Sequence, residues 1–338
     1  MTDALKLTTY FGERDRVDDR FLADALADLY ARHELRTSVV LRGVAGFGVK
    51  HHLRTDRLLT LSEDLPIVSV AVDERARIEA LLDDVVAVSG DGLITLERAR
   101  MAAAAVVATA GEEAKLTVHL GRGERAGGGP AHIAVVDVLH RHGVAGATVL
   151  LGVDGTTRGE RRRARFFAAN THVPLMVIAV GAGERIATAL PELRALLAEP
   201  LATWERVRVC KRDGRRLADP NHVPETDPSG LPMRQKLMVY ASEQARHDGR
   251  PLSAELLRRL RAAGAAGATA LRGHWGYHGD HAPHGDLFWQ LRRRVPVVTV
   301  VVDTPANVLR WFEIVDELTQ ETGLVTSELV PARISAGD

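Results

Sequence analysis

Three short glycine-rich segments contain the residues best suited to chemistry in this sequence. Each has two glycines three positions apart: Gly43 and Gly46, Gly152 and Gly155, and Gly273 and Gly276. Glycine lets backbone amides approach an anion closely, and a neighbouring arginine adds a guanidinium that binds phosphate or carboxylate. The segments therefore predict anion binding, while a structural turn that requires positive φ is the simpler explanation of the same glycines.

The three segments differ around their shared glycines. The first reads L-R-G-V-A-G-F-G, the second has Leu151 in place of the arginine, and the third keeps Arg272 but continues with Tyr277-His278. If these segments bind a ligand, their clefts are not equivalent, and the cleft that depends on Leu151 is expected to be inactive. The predicted ligand-binding residues are Arg42, Gly43, Gly46, Phe47, Gly48, Gly152, Gly155, Arg272, Gly273 and Gly276.

A histidine-rich stretch after the third segment offers a different kind of site. Imidazoles combined with a carboxylate are suitable metal ligands, and this stretch contains His278, His281 and His284 near Asp280. A metal-responsive binding protein is therefore the alternative function, with these three histidines as ligands. A polar, solvated loop is the simpler explanation, because the spacing matches no standard metal site.

No nucleophile and base recur in the three segments, so the sequence predicts a protein that is not an enzyme. Ser62-Glu63-Asp64 is a polar turn, and the aligned turns keep no serine. Lys plus Arg and Asp plus Glu balance at 44 each, which does not favour a nucleic-acid partner. Cys210 is the single cysteine, no apolar run approaches the ~20 residues of a membrane span, and no secretory signal is visible. We expect a cytoplasmic protein.

The glycine segments belong to a longer unit that occurs three times. Lys6 aligns with Lys115 and Lys236, and Glu97 aligns with Glu205 and Glu328, in the same order as the glycines. Agreement at several ordered positions predicts three tandem domains. Their predicted bounds are 5–101, 114–210 and 234–333, and the residues 211–233, which are rich in Pro, Gly and Asp, are expected to be a linker.

Each unit shows the element order βαββαβ, which predicts an α+β fold of three ferredoxin-like domains. The third strand of the last unit is apolar at consecutive positions from Val297 to Val302, with only Thr299 interrupting. Such a strand requires burial on both faces of its sheet, which a single unit cannot supply. We therefore expect the three units to pack around a common axis as an intrachain pseudo-trimer, and the chain to be a monomer in solution.

Copy one combines K-L-T-x-Y-F-G-E, L-R-G-x-x-G-F-G, L-S-E-D-L-P-I-V and I-T-L-E-R, and with these motifs it resembles the domain-of-unknown-function-190 family of PII-like proteins. Copies two and three look like diverged members. The resemblance implies a trimeric assembly of ferredoxin-like domains with small ligands, adenine nucleotides in PII proteins, in the clefts between neighbours. It also implies a signalling role in which long loops contact a partner protein, such as a transporter or an enzyme. No cofactor is predicted apart from this effector.

Overall fold

The computed structural model of the protein describes residues 3–48, 54–55, 64–90, 92–102, 108–109, 111–164, 170–197, 200–221, 223–224, 226–227, 230, 232–278, 283–285 and 295–334. These ranges contain both helices and strands, as expected of an α+β fold, and the order of the elements repeats three times. No helix in the described ranges has both the length and the apolar character needed to cross a membrane.

Each unit is built on four main strands and two helices. In unit 1 these are the strands Asp3–Gly12, Thr37–Arg42, Pro66–Glu74 and Leu93–Met101 and the helices Leu22–Arg32 and Arg75–Ser89. In unit 2 they are the strands Glu113–Gly121, Gly146–Leu151, Pro174–Ala182 and Leu201–Arg206 and the helices Ala131–Arg141 and Gly183–Leu196. In unit 3 they are the strands Met233–Ser242, Ala268–Arg272, Pro296–Asp303 and Leu324–Ile334 and the helices Leu252–Ala262 and Pro305–Leu318.

Shorter strands connect these elements. A small hairpin precedes the first helix of each unit, formed by Arg16–Val17 with Arg20–Phe21, Arg125–Ala126 with Gly129–Pro130, and Arg246–His247 with Arg250–Pro251. A second set follows each second strand: Ala45–Phe47 with Arg54–Thr55, Asp154–Thr157 with Glu160–Arg161, and Trp275–His278 with His284–Gly285. The end of unit 2 and the start of the linker contribute Arg208–Arg212 and Arg215–Arg216.

Within each unit the four main strands are antiparallel. The first strand lies in the centre, between the third and the last, and the second strand pairs with the outer edge of the third. The same order holds in units 2 and 3. The helices pack on one face of each sheet, and each unit has its own apolar core on that side.

A fourth apolar core lies on the other face of the sheets and is shared by all three units. The third strand of unit 3 shows how one segment serves two cores. Val298, Val300 and Val302 belong to the shared core, while Val297 and Val301 pack in the core of unit 3 itself. The prediction that this strand is buried on both faces is confirmed. Burying a valine fully contributes about 1.5 kcal/mol or more, so the shared core strongly favours contact between the units.

The units are also joined by hydrogen-bonded strands, which close into a ring. The short strand that contains the second glycine of each segment pairs with the second strand of a neighbour. We call these three pairings the glycine seams. They join Asp154–Thr157 to unit 1, Trp275–His278 to unit 2 and Ala45–Phe47 to unit 3. A second set of pairings joins the last strands: residues 100–101 to 203–204, 208–212 to 324–327, and 332–334 to 93–95. Each unit therefore contacts both others.

Candidate functional site

Six buried charged side chains meet where the three units come together. Each unit supplies a lysine from its first strand and a glutamate from its last strand, and these two residues face each other across the antiparallel pair. Each of the six is at most 5% exposed. We call this group the charged ring; its members are Lys6, Lys115, Lys236, Glu97, Glu205 and Glu328.

Every lysine of the charged ring also contacts the glutamate of another unit. The three contacts between units, each 2.5 Å from Nζ to Oε2, join Lys6 to Glu205, Lys115 to Glu328 and Lys236 to Glu97. The contacts within units measure 2.5, 2.9 and 2.8 Å. Each carboxylate thus receives two ammonium groups, positive and negative charges alternate, and the ring has no net charge. Such mutual pairing is what permits six charges to be buried together.

The charges of the ring offset the cost of burial unequally: at Lys6 burial outweighs the neighbouring carboxylates and lowers the pKa, whereas at other members the opposite holds. Burial raises the pKa of Glu97, but the ammonium groups of Lys236, Lys6 and Lys115 outweigh it and hold that pKa well below its usual value. Burial lowers the pKa of Lys115, but the surrounding carboxylates outweigh it and hold that pKa well above the ordinary value. Both groups are therefore ionised at neutral pH.

The three glutamates are also the one group in the described ranges whose geometry could hold a metal ion, with carboxylate oxygens within 4.8 Å of one another. Three lysine ammonium groups already occupy the positions around these oxygens. A cation at the centre would be repelled by those lysines, so the arrangement fits a role in holding the units together.

The second glycine of each pair lies in a glycine seam, and the first lies shortly before it. The first glycine of each pair donates its amide to the proline that begins the third strand of its own unit, at 2.8, 3.0 and 2.7 Å. The next residue donates across the seam, as Val153 does to the carbonyl of Val40 at 2.8 Å. These amides are therefore engaged by carbonyl groups of the protein. Close packing against neighbouring atoms accounts for the shared glycines, of which Gly155 and Gly276 also have the positive φ expected of a turn. Ligand binding at them stays a prediction.

Close backbone approach explains why glycine is needed there. A Cβ on Gly155 would lie 2.1 Å from the carbonyl oxygen of Ser38, and one on Gly276 would lie 2.2 Å from that of Ala147. Both glycines have positive φ, +148° and +153°. In contrast, a Cβ on Gly48 would meet nothing within 4 Å, so Gly48 is open to solvent and to any ligand.

Phe47 crosses its seam and lies in the apolar core of unit 3, where it is 4% exposed. The aligned Tyr277 enters the core of unit 2 in the same manner, and its hydroxyl donates to the carbonyl of Val144 at 3.0 Å. An aromatic side chain here anchors one unit to the next. Because Phe47 packs in this way, little of its side chain is accessible to the anionic ligand that the sequence predicted at this segment.

The two predicted arginines form ion pairs close to the seams. Arg42 Nε and Nη2 donate to the carboxylate of Glu13 at 2.7 and 2.9 Å, and Arg272 donates to Glu243 at 2.9 Å. In unit 2, where Leu151 replaces the arginine, Glu124 accepts the amide of Gly121 instead. The arginines are partly exposed, so a stronger anion could still displace the glutamates.

The predicted metal ligands are only partly described. His278 and His284 lie on two short strands of unit 3, Trp275–His278 and His284–Gly285, and His281 lies outside the described residues. No three-ligand group that includes a histidine is found in the described ranges.

A cavity of about 1130 Å³ lies beside the charged ring, lined by all three units and by the linker. Four arginines line it at equivalent positions of units 1 and 2, one and three residues after the ring glutamates: Arg98, Arg100, Arg206 and Arg208. We call this space the arginine cavity.

Three of these guanidinium groups lack an acidic partner among the residues that the structure describes. Arg206 pairs with Glu112 at 2.7 Å, and Arg208 donates to the neutral amide oxygen of Asn221 at 2.7 Å. The guanidinium groups of the exposed Arg98 and Arg100 make no ion pair or hydrogen bond with any described residue. Other acids on the wall are already paired, as Asp3 is with Arg75. The cavity therefore offers three guanidinium groups of the type that binds phosphate or carboxylate, on a wall that also carries acidic residues such as Glu112 and Glu113.

Sequence reasoning missed both the charged ring and the arginine cavity, although each left a signal. The ring residues recur in all three copies of the repeat alignment, and they are charges placed inside apolar strands. The arginines recur at an offset of 108 residues, as in Arg98 and Arg206, but unit 3 has Leu329 there. Comparing positions next to an alignment anchor would have found them.

The sequence can be compared with known protein families. The family DUF190, described as "Uncharacterized ACR", matches at residues 4–101, 113–209 and 234–332. The chain belongs to this PII-like family, with three tandem copies, as the resemblance predicted.

Similarity to solved structures is weak. An aspartate kinase from Synechocystis aligns at 11% identity and a TM-score of 0.24, over 96% of this chain and 43% of that chain. The chain thus spans less than half the length of that kinase. An anthrone oxidase-like protein aligns at 12% identity and a TM-score of 0.19, over 64% of this chain and 95% of that chain. Neither alignment bears on the fold or the function.

Proposed function

We propose that this protein is a non-enzymatic PII-like regulator that binds a small anionic effector between its units. Membership of the DUF190 family supports a regulatory role. The arginine cavity supports the anionic effector and is the single observation that carries the proposal. Its guanidinium groups come from two units, so binding there would depend on how those units are arranged.

An adenine nucleotide is the effector class we favour. Drug-sized ligands occupy pockets of roughly 300–1,000 Å³, so a cavity of about 1130 Å³ accommodates a nucleotide. A phosphate chain would pair with Arg98 and Arg100, whose planar guanidinium groups bind oxyanions through two parallel hydrogen bonds. The effector would alter the relative populations of two arrangements of the units, and so change contact with a partner protein.

The second part of the proposal concerns the arrangement of the three units, which are joined by pairings between their strands. We propose that the three ferredoxin-like units form one pseudo-trimer within a single chain. The charged ring, the glycine seams and the pairings of the last strands support this, because each closes from unit 1 to unit 2, to unit 3 and back. The long loops after the second strands would then contact the partner, which is a transporter or an enzyme by analogy with the family resemblance.

We expect ATP, ADP, AMP or cyclic AMP to bind this chain in a calorimetric titration. Replacing both arginines (Arg98→Gln with Arg100→Gln) should weaken the binding at least 10-fold, because two charge-assisted contacts are lost. The matched control is Arg141→Gln, which removes an exposed arginine paired with Glu192 on the outside of unit 2. No binding of any of the four nucleotides at millimolar concentration, or equal weakening in the control, would refute the proposed site.

A further inference from the structure

The arginine cavity is not symmetric, because unit 3 contributes no arginine to it. Leu329 and Pro331 stand in unit 3 at the positions of Arg98 and Arg100. Backbone pairing places Arg208 opposite Ser327, two residues before Leu329. The cavity therefore has a basic side formed by units 1 and 2 and an apolar side next to unit 3.

The linker between units 2 and 3 continues this apolar side. Leu217, Val223 and Pro224 line the same cavity. Leu217 is held in place because its amide donates to the carbonyl of Cys210 at 2.8 Å. Asn221 accepts the hydrogen bond from Arg208, so the linker also contacts the basic side.

Two large apolar side chains are left uncovered inside this cavity. Leu217 is 47% exposed and Leu329 is 37% exposed, and they are two of the four exposed large apolar residues in the described ranges. Exposed apolar surface that is concentrated in a concave site marks ligand contact more often than scattered exposure does. An inorganic oxyanion would leave both leucines in water.

We propose that the linker supplies the apolar half of the effector site, so that the cavity takes one ligand per chain. The ligand would have an anionic group at the arginines and an apolar or aromatic body against Leu217 and Leu329. This inference rests on the proposed function and adds to it the shape of the effector and the number bound. An equivalent second site is excluded because the linker segment and the two leucines occur once in the chain.

Two probes with the same phosphate chain test the inference by calorimetry: ATP, which has a base and a sugar, and tripolyphosphate, which has neither. We expect ATP to bind at one molecule per chain and at least 10-fold more tightly than tripolyphosphate. The double replacement Leu217→Ser with Leu329→Ser should weaken ATP binding 5- to 10-fold and leave tripolyphosphate binding unchanged. Phe21→Ser is the matched control, because Phe21 is a large apolar residue that is 41% exposed outside the cavity.

The outcomes separate this inference from the proposed function. Binding of both probes with equal affinity, three ATP molecules per chain, or no effect of the leucine replacements would overturn the role of the linker while the anionic site stands. Loss of ATP binding in the arginine variant, together with unchanged binding in the leucine variant, would also overturn the role of the linker alone. Absence of binding by both probes would overturn the proposed function and the inference together. Thermal unfolding of each variant checks that it is folded.

Discussion

Replacing Lys115 with methionine should lower the free energy of unfolding by about 3–5 kcal/mol, the usual cost of leaving a buried charge without its partner. Lys115 is 2% exposed and lies 2.5 Å from Glu328 and 2.9 Å from Glu205. Methionine keeps the length of the side chain but removes the ammonium group. Two carboxylates would then each have a single cation, in a site from which water is excluded.

Chemical denaturation at neutral pH measures this effect, and two further variants show its cause. Arg75→Met removes the exposed ion pairs of Arg75 with Glu79 and Asp3 and should change stability little, because exposed ion pairs contribute little. Replacing all six ring residues by methionine and leucine should restore most of the lost stability, because no charge is then buried alone. A Lys115→Met protein as stable as the original would show that the ring does not hold the units together.

The second large effect is expected at a glycine seam. Gly155→Ala should lower the free energy of unfolding by about 2–4 kcal/mol, from overpacking and from a backbone conformation that alanine disfavours. The new methyl group would lie 2.1 Å from the carbonyl oxygen of Ser38, which is backbone and can move only if the seam opens. Amide hydrogen exchange should therefore become faster at Val153 and Arg158, whose amides donate to unit 1.

Gly48→Ala is the matched control for the seam, because a Cβ there meets nothing within 4 Å. It should leave both stability and exchange unchanged. Gly276→Ala tests the corresponding seam between units 2 and 3 and should behave like Gly155→Ala. If the Gly155→Ala and Gly48→Ala proteins were equally stable, the close approach of Gly155 to the carbonyl oxygen of Ser38 would be refuted.

Much of the fold was predictable because repetition adds independent signals. One glycine pair means little, but three pairs in register with recurring lysines and glutamates define a unit and its length. The apolar run from Val297 to Val302 predicted burial on both faces, and the two cores that share this strand confirm it.

The candidate site was less predictable because it depends on contacts between units. The sequence places Lys6 and Glu205 199 residues apart, and only the strand register between units brings them together. Phe47 was predicted to contact a ligand because the three copies differ at this position, but packing across the seam buries it in unit 3. Arg98 follows a buried glutamate in an edge strand, and nothing local distinguishes it from an ordinary solvated arginine.

The closure of one chain into a ring of three units is tested most directly by the molar mass in solution. Light scattering coupled to gel filtration should give about 36.7 kDa, the mass of one chain. The same mass should persist on dilution, because every contact that closes the ring is intramolecular. A mass of three chains, or one that falls with dilution to that of a single chain, would show that the units pair between chains and would contradict closure within one chain.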